Sequence, residues 1–178
     1  LAADAVAPDA LPPFAASVKD GYAVVASDGP GEYRIAGEVR AGIAPDFSVQ
    51  PGTVAYITTG APMPEGADAV VMVEDTEVED DGRVRVMRPA SPGDRISAAG
   101  SDIARGETIL RRGVRLTARE TGTLAACGVV SVPCVHRPRV AILSTGDEIV
   151  EPGRSLAPGQ VHDANATLLA DAVRELGL

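Results

Sequence analysis

The chain has 178 residues, 45% hydrophobic and 23% charged, a composition that supports a packed core. Its formal net charge of −9 opposes non-specific binding to nucleic acid or to an anionic membrane, because phosphates are repelled at long range. No apolar run approaches the roughly 18 residues of a membrane span, and the first residues lack the order of a signal peptide. We therefore expect a cytoplasmic protein with no nucleic-acid or membrane partner.

The two cysteines and two histidines show no metal-ligand spacing. Cys127 and Cys134 are seven residues apart, which predicts buried structural thiols in a reducing compartment. His136 and His162 are separate, which is typical of surface or packing histidines. The common nucleotide-loop, hydrolase and zinc motifs are absent from the sequence, so nothing supports those site classes.

Residues 14–97 are predicted to be β-rich. Short β-branched runs are bounded there by Gly, Pro or Asp, which favours a small sheet or barrel. The five runs are Tyr22–Val25, Tyr33–Ile35, Thr53–Thr58, Ala69–Val73 and Val84–Met87. The acidic turn at 79–82 ends in Asp-Gly and predicts a solvated hairpin tip.

From Leu116 onwards the pattern changes to that of a helix. Thr117 is a good N-cap, Glu120 follows at the capping-box position and Gly128 ends the run, so we predict a helix over Thr117–Cys127. Residues 129–135 are predicted to form a short strand. The Arg-Pro pair at 137–138 then indicates a domain boundary near residue 136.

The last part of the chain resembles the beginning of an α/β unit. A strand is predicted at Val140–Leu143, followed by a polar loop and an amphipathic helix at 165–176. The apolar side chains of this helix should face the core of the domain; they are Leu168, Leu169, Val173 and Leu176. Such a unit requires further parallel strands, so we expect this domain to be truncated.

Three polar clusters accompany the apolar strands, at 19–22, 58–62 and 144–148. Each places hydroxyls or carboxylates beside a glycine, which suits binding of an oxyanion together with a hard cation such as Mg²⁺. The same pairs are also ordinary turn chemistry, so spacing alone leaves a structural role open. For Asp102 the alternative is a turn or capping carboxylate, and for Asp68 and residues 74–75 it is a solvated strand end.

Four longer segments resemble the MoeA/gephyrin E-domain family. They are LPPFAASVKDGYAV at 11–24, TTGAPMPEGADAVVMVEDT at 58–76, GSDI at 100–103 and VAILSTGDEIVEPG at 140–153. They occur in the family's order and at matching separations, and they correspond to its N-terminal part. The stretch SVKDGYAVVASDGPGEY looks closest to eukaryotic E domains of the plant and gephyrin kind.

The resemblance implies a multi-domain fold. A β-rich domain would cover 15–97, a small helical domain 1–14 with 98–136, and the start of an α/β, molybdopterin-binding-like domain 137–178. It also implies an elongated homodimer and, as a partner, a molybdopterin adenylyltransferase G domain in the same or another chain. The activity implied is that of a molybdopterin molybdenumtransferase, which takes adenylylated molybdopterin and molybdate, uses Mg²⁺ and releases AMP.

The resemblance also implies the site residues. Those expected to line the cleft between subunits are Asp20, Thr59, Asp102 and Glu148, with Asp20, Asp102 and Glu148 as Mg²⁺ ligands. Thr59 and the Gly60 N–H would donate to molybdate or phosphate oxygens, and Lys19 would neutralise an oxyanion. The other expected substrate-binding residues are Ser144, Thr145, Gly146, Asp147, Asp163 and Asn165.

Two departures from the family pattern stand out. Arginines expected before GxDI and after the Asp-Ser/Thr-Asn run are replaced by Ser97, Ala98 and Ala166. Losing these cations should weaken binding of molybdate and pyrophosphate. The family's Gly-Gly-Val-Ser segment and C-terminal β-domain are expected after residue 178, so this chain alone is expected to be inactive.

Two other hypotheses remain open at this stage. One is a dimeric scaffold or binding module of the gephyrin type with weak or no insertase activity. The other is a truncated structural fragment whose exposed sheet edge pairs with another chain.

Overall fold

The computed structural model describes residues 1–177, and the chain folds into two compact units. The first unit is Leu1–Pro133 and the second begins at Cys134. Leu178, the last residue of the expected α/β domain, lies outside the described residues. The separation of a helical domain from the β-rich region inside the first unit stays a prediction.

The first unit contains ten strands and one α-helix. The strands are β1 (Ala5–Val6), β2 (Ala16–Ser17), β3 (Gly21–Val24), β4 (Gly31–Val39), β5 (Thr53–Ile57), β6 (Ala69–Met72), β7 (Thr76–Val78), β8 (Arg83–Val86), β9 (Ile96–Ser97) and β10 (Thr108–Leu110). Six of them form one sheet in the order β6-β3-β5-β4-β8-β7, while β1 pairs with β10 and β2 with β9. The predicted β-rich character is therefore confirmed.

Strand β4 is longer than its predicted core at Tyr33–Ile35. Its first half pairs antiparallel with β8 and its second half parallel with β5, with an irregular register between Ile35 and Gly37. Because each half has a different neighbour, the strand extends over nine residues although Ala36 and Gly37 interrupt its apolar pattern.

Both faces of the central strands are buried, which explains their continuous apolar sequences. Tyr22 and Val24 of β3 pack in one apolar cluster with Val54 and Val71, and Ala23 between them belongs to a second cluster. Successive side chains of a strand point to opposite faces, so an unbroken apolar run fits a strand covered on both sides.

The predicted hairpin and helix are both present. Strands β7 and β8 pair through Val78 and Val84, and Gly82 in the turn has a φ of 81°. Helix α1 covers Ala118–Ala126, and its N-cap Thr117 forms the predicted capping box with Glu120. Leu124 of α1 is buried in a third apolar cluster, with Leu1 and Ala5.

The strand predicted over residues 129–135 is wrong. No strand is formed over this segment in residues 1–177, although the Pro133 carbonyl accepts the Ala2 N–H at 2.8 Å. The Val130 side chain is accordingly 99% exposed. Cys127 is buried as predicted, but Cys134 is exposed, which corrects the expectation of two buried thiols.

The second unit contains β11 (Ile149–Val150) parallel to β12 (Val161–His162), followed by α2 (Ala164–Glu175). The strand predicted at Val140–Leu143 is not formed, because no other strand of the described unit lies beside it. The expectation that the helix faces inward is also wrong: Leu168, Leu169 and Leu176 are exposed, and Val173 is only partly buried. An amphipathic helix buries its stripe only against a packed layer, and the two-residue strands here are too short to provide one.

Neither α-helix among residues 1–177 has the length and apolar character needed to cross a lipid bilayer.

Candidate functional site

The register of the sheet brings two of the predicted polar clusters together. Gly21, the first residue of β3, lies opposite Ile57, the last residue of β5. Because the two strands are antiparallel, the residues before β3 meet the residues after β5 at one edge of the sheet. This edge carries Lys19 and Asp20 on one side and Thr59 and Gly60 on the other, and we call it the Asp20–Thr59 site.

Asp20 and Thr59 are joined by two hydrogen bonds. Thr59 donates its backbone N–H to Asp20 Oδ1 at 2.6 Å and its hydroxyl to the same oxygen at 2.8 Å. These bonds lower the pKa of Asp20 below its ordinary value, the backbone N–H being the larger cause. The other carboxylate oxygen, Oδ2, accepts no hydrogen bond within residues 1–177 and faces an exposed surface.

The glycine and threonine donors of this site are bonded within the protein, and their expected role toward substrate oxygens stays a prediction. The Gly60 N–H donates to the backbone carbonyl of Ser17 at 2.8 Å, so it is already used inside the protein. Both Thr59 donors point to Asp20 rather than outward. In this arrangement Thr59 orients a carboxylate, and Gly60, with a φ of 80°, allows the tight turn.

Lys19 is exposed at the same edge and makes no ion pair with any described residue. A free ammonium is suited to an anionic ligand. That Lys19 neutralises an oxyanion stays a prediction.

The glycine after Asp20 is required by close packing. A Cβ atom on Gly21 would lie 2.0 Å from the backbone oxygen of Val71 in β6. Only glycine lets β3 approach β6 this closely, so the start of β3 and the position of Asp20 are fixed together.

Sequence reasoning missed two residues at this edge, Ser17 and Arg40. Nothing in the sequence around Ser17 marks it as functional, and its burial is known only from the structure. Arg40 follows β4, which ends beside β5, and its guanidinium is paired with Glu38 at 2.8 Å. Glu38 raises the pKa of Arg40, first through their hydrogen bond.

Asp102 lies in a loop of the first unit. Its backbone N–H donates to the carbonyl of Leu11 at 3.0 Å, while its exposed carboxylate makes no hydrogen bond within residues 1–177. The loop is therefore anchored through its backbone and its carboxylate is left to solvent. No hydrogen bond joins Asp102 to Asp20 or Thr59 among the described residues.

In the second unit, Asp163 is the best-defined of the predicted residues. It caps α2 by accepting the Ala166 N–H at 2.9 Å, and it also accepts a hydrogen bond from the Ser144 side chain. The Ser144 bond is the first cause, and the Ala166 bond the second, of the lowered pKa of Asp163. Ser144 and Asp163 line an open groove of about 570 Å³ together with Thr167.

Glu148 folds back over Gly146. A Cβ atom on Gly146 would lie 2.6 Å from the Glu148 carboxylate, and the φ of Gly146 is 143°. The remaining predicted residues of this unit, Thr145, Asp147 and Asn165, are exposed. The loop thus presents several polar groups to solvent, with the carboxylate of Glu148 held near a glycine.

Within residues 1–177, no three His, Cys, Asp or Glu side chains lie close enough together to hold a metal ion. Magnesium is usually bound by only one or two carboxylates, with substrate phosphates and water completing its octahedron. Asp20 Oδ2 and the Asp102 carboxylate are both hard oxygen donors of this kind. The donor chemistry therefore fits Mg²⁺, although the described residues do not form a complete site.

Residues 97, 98 and 166, where the resemblance predicts arginines, carry no cation. Ser97 and Ser101 share a hydrogen bond between their hydroxyls at 2.8 Å. Ala98 is exposed, and Ala166 contributes only its backbone N–H to Asp163.

Comparison with known proteins identifies relatives over almost the whole chain. Residues 1–128 match the family model described as the MoeA N-terminal region, domains I and II. Molybdopterin molybdenumtransferase 2 of Mycobacterium tuberculosis is 41% identical over 99% of this chain and 45% of its own length. Gephyrin of Dictyostelium discoideum is 36% identical, again over 99% of this chain but only 27% of its own length.

Two solved structures of the molybdopterin biosynthesis protein MoeA from Pyrococcus horikoshii have the same fold, each with a TM-score of 0.88. They are 41% and 33% identical, and the chain covers 46% and 48% of them. The chain thus spans less than half the length of these relatives. The 41% identities belong to bacterial and archaeal proteins, so they do not favour the expected affinity to eukaryotic E domains.

Proposed function

Because this chain belongs to the MoeA family, which includes the E domain of gephyrin, we propose that the protein acts in molybdenum cofactor biosynthesis as a molybdopterin molybdenumtransferase. Several relatives carry this name, among them the proteins of Mycobacterium tuberculosis and Bacillus subtilis. The proposed reaction inserts molybdenum from molybdate into adenylylated molybdopterin and releases AMP.

The observation that carries the proposal is the Asp20–Thr59 site itself. Two family motifs far apart in the sequence meet there through two hydrogen bonds on one carboxylate oxygen. The result is an ionised, oriented carboxylate with one oxygen free, and the preceding residue, Lys19, carries an exposed ammonium. Such a pair suits a ligand that combines a cation with an oxyanion.

In the proposed site, Mg²⁺ would neutralise part of the negative charge of the phosphate and molybdate oxygens. Asp20 Oδ2 would be one of its ligands, and Asp102 and Glu148 are the further ligands that we propose. Thr59 holds Asp20 in one orientation, so that no carboxylate rotation is needed when the ligand arrives. Lys19 would pair with an oxyanion of the substrate.

The second unit would bind the nucleotide part of the substrate. Ser144 and Asp163 line its groove, and Asn165 follows in the first turn of α2. Thr145, Gly146 and Asp147 would shape the adjoining loop. We further propose that the protein is a homodimer.

The domain division and surroundings belong to the same proposal. A separate domain of 1–14 with 98–136 is supported by its own apolar cluster around Leu1, Ala5 and Leu124. The α/β domain would begin at 137. The proposed location is the cytoplasm, with an adenylyltransferase G domain, in the same or another chain, supplying the adenylylated substrate.

Isothermal titration of adenylylated molybdopterin with Mg²⁺ into the full-length protein tests the proposal, together with molybdate-dependent cofactor formation. We expect Asp20→Ala to abolish Mg²⁺-dependent binding and turnover. Asp81→Ala is the matched control, since Asp81 is also an exposed aspartate whose pKa is lowered by hydrogen bonds, but it lies in the β7–β8 hairpin. No turnover by the unaltered protein would exclude the proposed reaction.

A second candidate function is a dimeric scaffold with weak or no insertase activity. It is favoured by the gephyrin relative and by the uncharged residues Ser97, Ala98 and Ala166 at the arginine positions. Restoring the cations with Ser97→Arg and Ala166→Arg distinguishes the two functions. A gain of turnover would indicate a weakened insertase, whereas full activity in the unaltered protein would exclude the scaffold.

A further inference from the structure

Ser17 is the only buried polar residue among residues 1–177, with 2% of its surface exposed. Burying a hydroxyl without a hydrogen-bond partner destabilises the fold, whereas alanine would fill almost the same space with no polar group to satisfy. A serine buried at this position therefore indicates that its hydroxyl makes hydrogen bonds that matter for the local structure.

The hydroxyl of Ser17 makes two hydrogen bonds to the backbone of Lys19, the residue before Asp20. It donates to the backbone carbonyl of Lys19 at 2.5 Å and accepts the backbone N–H of Lys19 at 3.3 Å. One side chain thus holds both polar groups of the residue that immediately precedes Asp20. The direction in which the chain enters Asp20 is fixed by these two bonds.

The backbone of Ser17 is fixed to the opposite side of the same site. Its carbonyl accepts the Gly60 N–H at 2.8 Å, and its N–H donates to the carbonyl of Ala61 at 3.0 Å. Ser17 also pairs with Ile96 in the β2–β9 ladder. It is consequently the residue at which the segment before Asp20 and the turn after Thr59 are held to one another.

We propose that Ser17 is a positioning residue, which sets the placement of Lys19 and Asp20 relative to Thr59 through its buried hydroxyl. It does not contact substrate, because its side chain is enclosed by the protein. The positioning itself stands on geometry, while its consequence for turnover rests on the proposed molybdenumtransferase function.

Ser17→Ala separates positioning from folding. The bonds from Gly60 and to Ala61 use the backbone of residue 17 and remain in the variant, so the fold should be retained. Only the two hydrogen bonds to Lys19 are lost. Asp20 should then be less well ordered, and its hydrogen bonds from Thr59 should weaken. Ser17→Cys is a second variant, because a thiol has nearly the same shape but is a much weaker hydrogen-bonding group.

The test is hydrogen exchange of the Thr59 backbone N–H, which donates to Asp20, followed by NMR in the 178-residue chain. We expect this exchange to become faster in Ser17→Ala and Ser17→Cys, because a less firmly placed Asp20 protects the N–H less. It should not change in the control Ser48→Ala, which removes a serine hydroxyl that bonds only to Gln50. Unchanged exchange of the Thr59 N–H in either folded Ser17 variant would overturn the proposal.

Activity of the full-length protein provides the second readout. Loosening an oriented carboxylate should lower kcat/KM by about tenfold in Ser17→Ala, with Ser48→Ala unaffected. If the unaltered protein shows no turnover, the proposed function fails, yet hydrogen exchange of the Thr59 N–H still decides whether Ser17 positions the site. Normal kcat/KM in both Ser17 variants would overturn the catalytic consequence.

Discussion

The carboxylate of Asp20 receives both hydrogen-bond donors of Thr59 on a single oxygen, at 2.6 and 2.8 Å. The two residues are 39 positions apart in the chain, and the pairing of β3 with β5 is what brings them together. One oxygen is thereby used to fix the carboxylate, and the other accepts no hydrogen bond from the described residues.

Thr59→Val should raise the pKa of Asp20, but only part of the way to its ordinary value. The variant removes the hydroxyl, which is the second cause of the lowered pKa, and leaves the backbone N–H, which is the first. Carboxyl NMR titration measures the effect. Thr108→Val, a change at the exposed first residue of β10, is the control and should leave the Asp20 midpoint unaltered.

The same hydrogen bonds give the stability of the protein a pH dependence of known sign. A carboxylate whose pKa is lowered by folding stabilises the native state above its unfolded pKa, which for Asp20 is close to 3.8. This contribution is lost as the pH falls through the lower, native pKa. Acid unfolding should therefore begin at a higher pH in Thr59→Val than in the unaltered chain, and coincident acid transitions would contradict the prediction.

Gly21→Ala should destabilise the first unit by about 3 kcal/mol, because the added Cβ would collide with rigid backbone and not with a movable side chain. The colliding atom is the carbonyl oxygen of Val71, at 2.0 Å. Gly122→Ala is a matched glycine change in the exposed middle of α1, where nothing lies within 4 Å of the new Cβ. It should stabilise the chain by about 0.5 to 1 kcal/mol, so urea unfolding should shift in opposite directions for the two variants.

Arg95→Asn should stabilise the protein by about 1 kcal/mol, because Arg95 has a φ of 57°, a left-handed conformation that asparagine adopts more readily than arginine. Its carbonyl accepts the Val18 N–H at 3.0 Å, so the conformation supports the segment leading to Asp20. A higher urea midpoint would confirm the prediction, whereas a lower one would show that the Arg95 side chain is itself needed.

Sequence patterns predict elements best where the local signal and the packing agree. Helix α1 has a capping box and an end signal of its own, and Leu124 has a core to enter, so its predicted bounds agree closely with the structure. The apolar runs at 129–135 and 140–143 have strand composition but no neighbouring strand in the described residues. Composition indicates the conformation that a segment favours, whereas a strand forms only beside another strand.

The candidate site shows the same limit. Residue type and motif indicate the chemistry of Asp20, Thr59 and Gly60, but they do not reveal that the donors of Thr59 and Gly60 are used inside the protein. Ser17 escapes sequence reasoning because the burial of a serine depends on segments distant in sequence. These features arise from the register of the sheet, which single residues do not encode.

Asp163 in the second unit allows helix capping to be separated from charge. Asp163→Asn retains a side-chain oxygen for the Ala166 N–H and should preserve the helicity of α2, whereas Asp163→Ala removes the cap and should reduce it, as measured by far-UV circular dichroism. Asp171→Ala, which removes only an exposed ion pair with Arg174, should change helicity little. If the Ala and Asn variants of Asp163 lost helicity equally, the negative charge rather than the hydrogen bond would be stabilising the helix.

In that case Ser144→Ala provides a further test, because it removes the first cause of the lowered pKa of Asp163 and so raises that pKa. The variant should weaken α2 at mildly acidic pH and leave it unchanged at neutral pH.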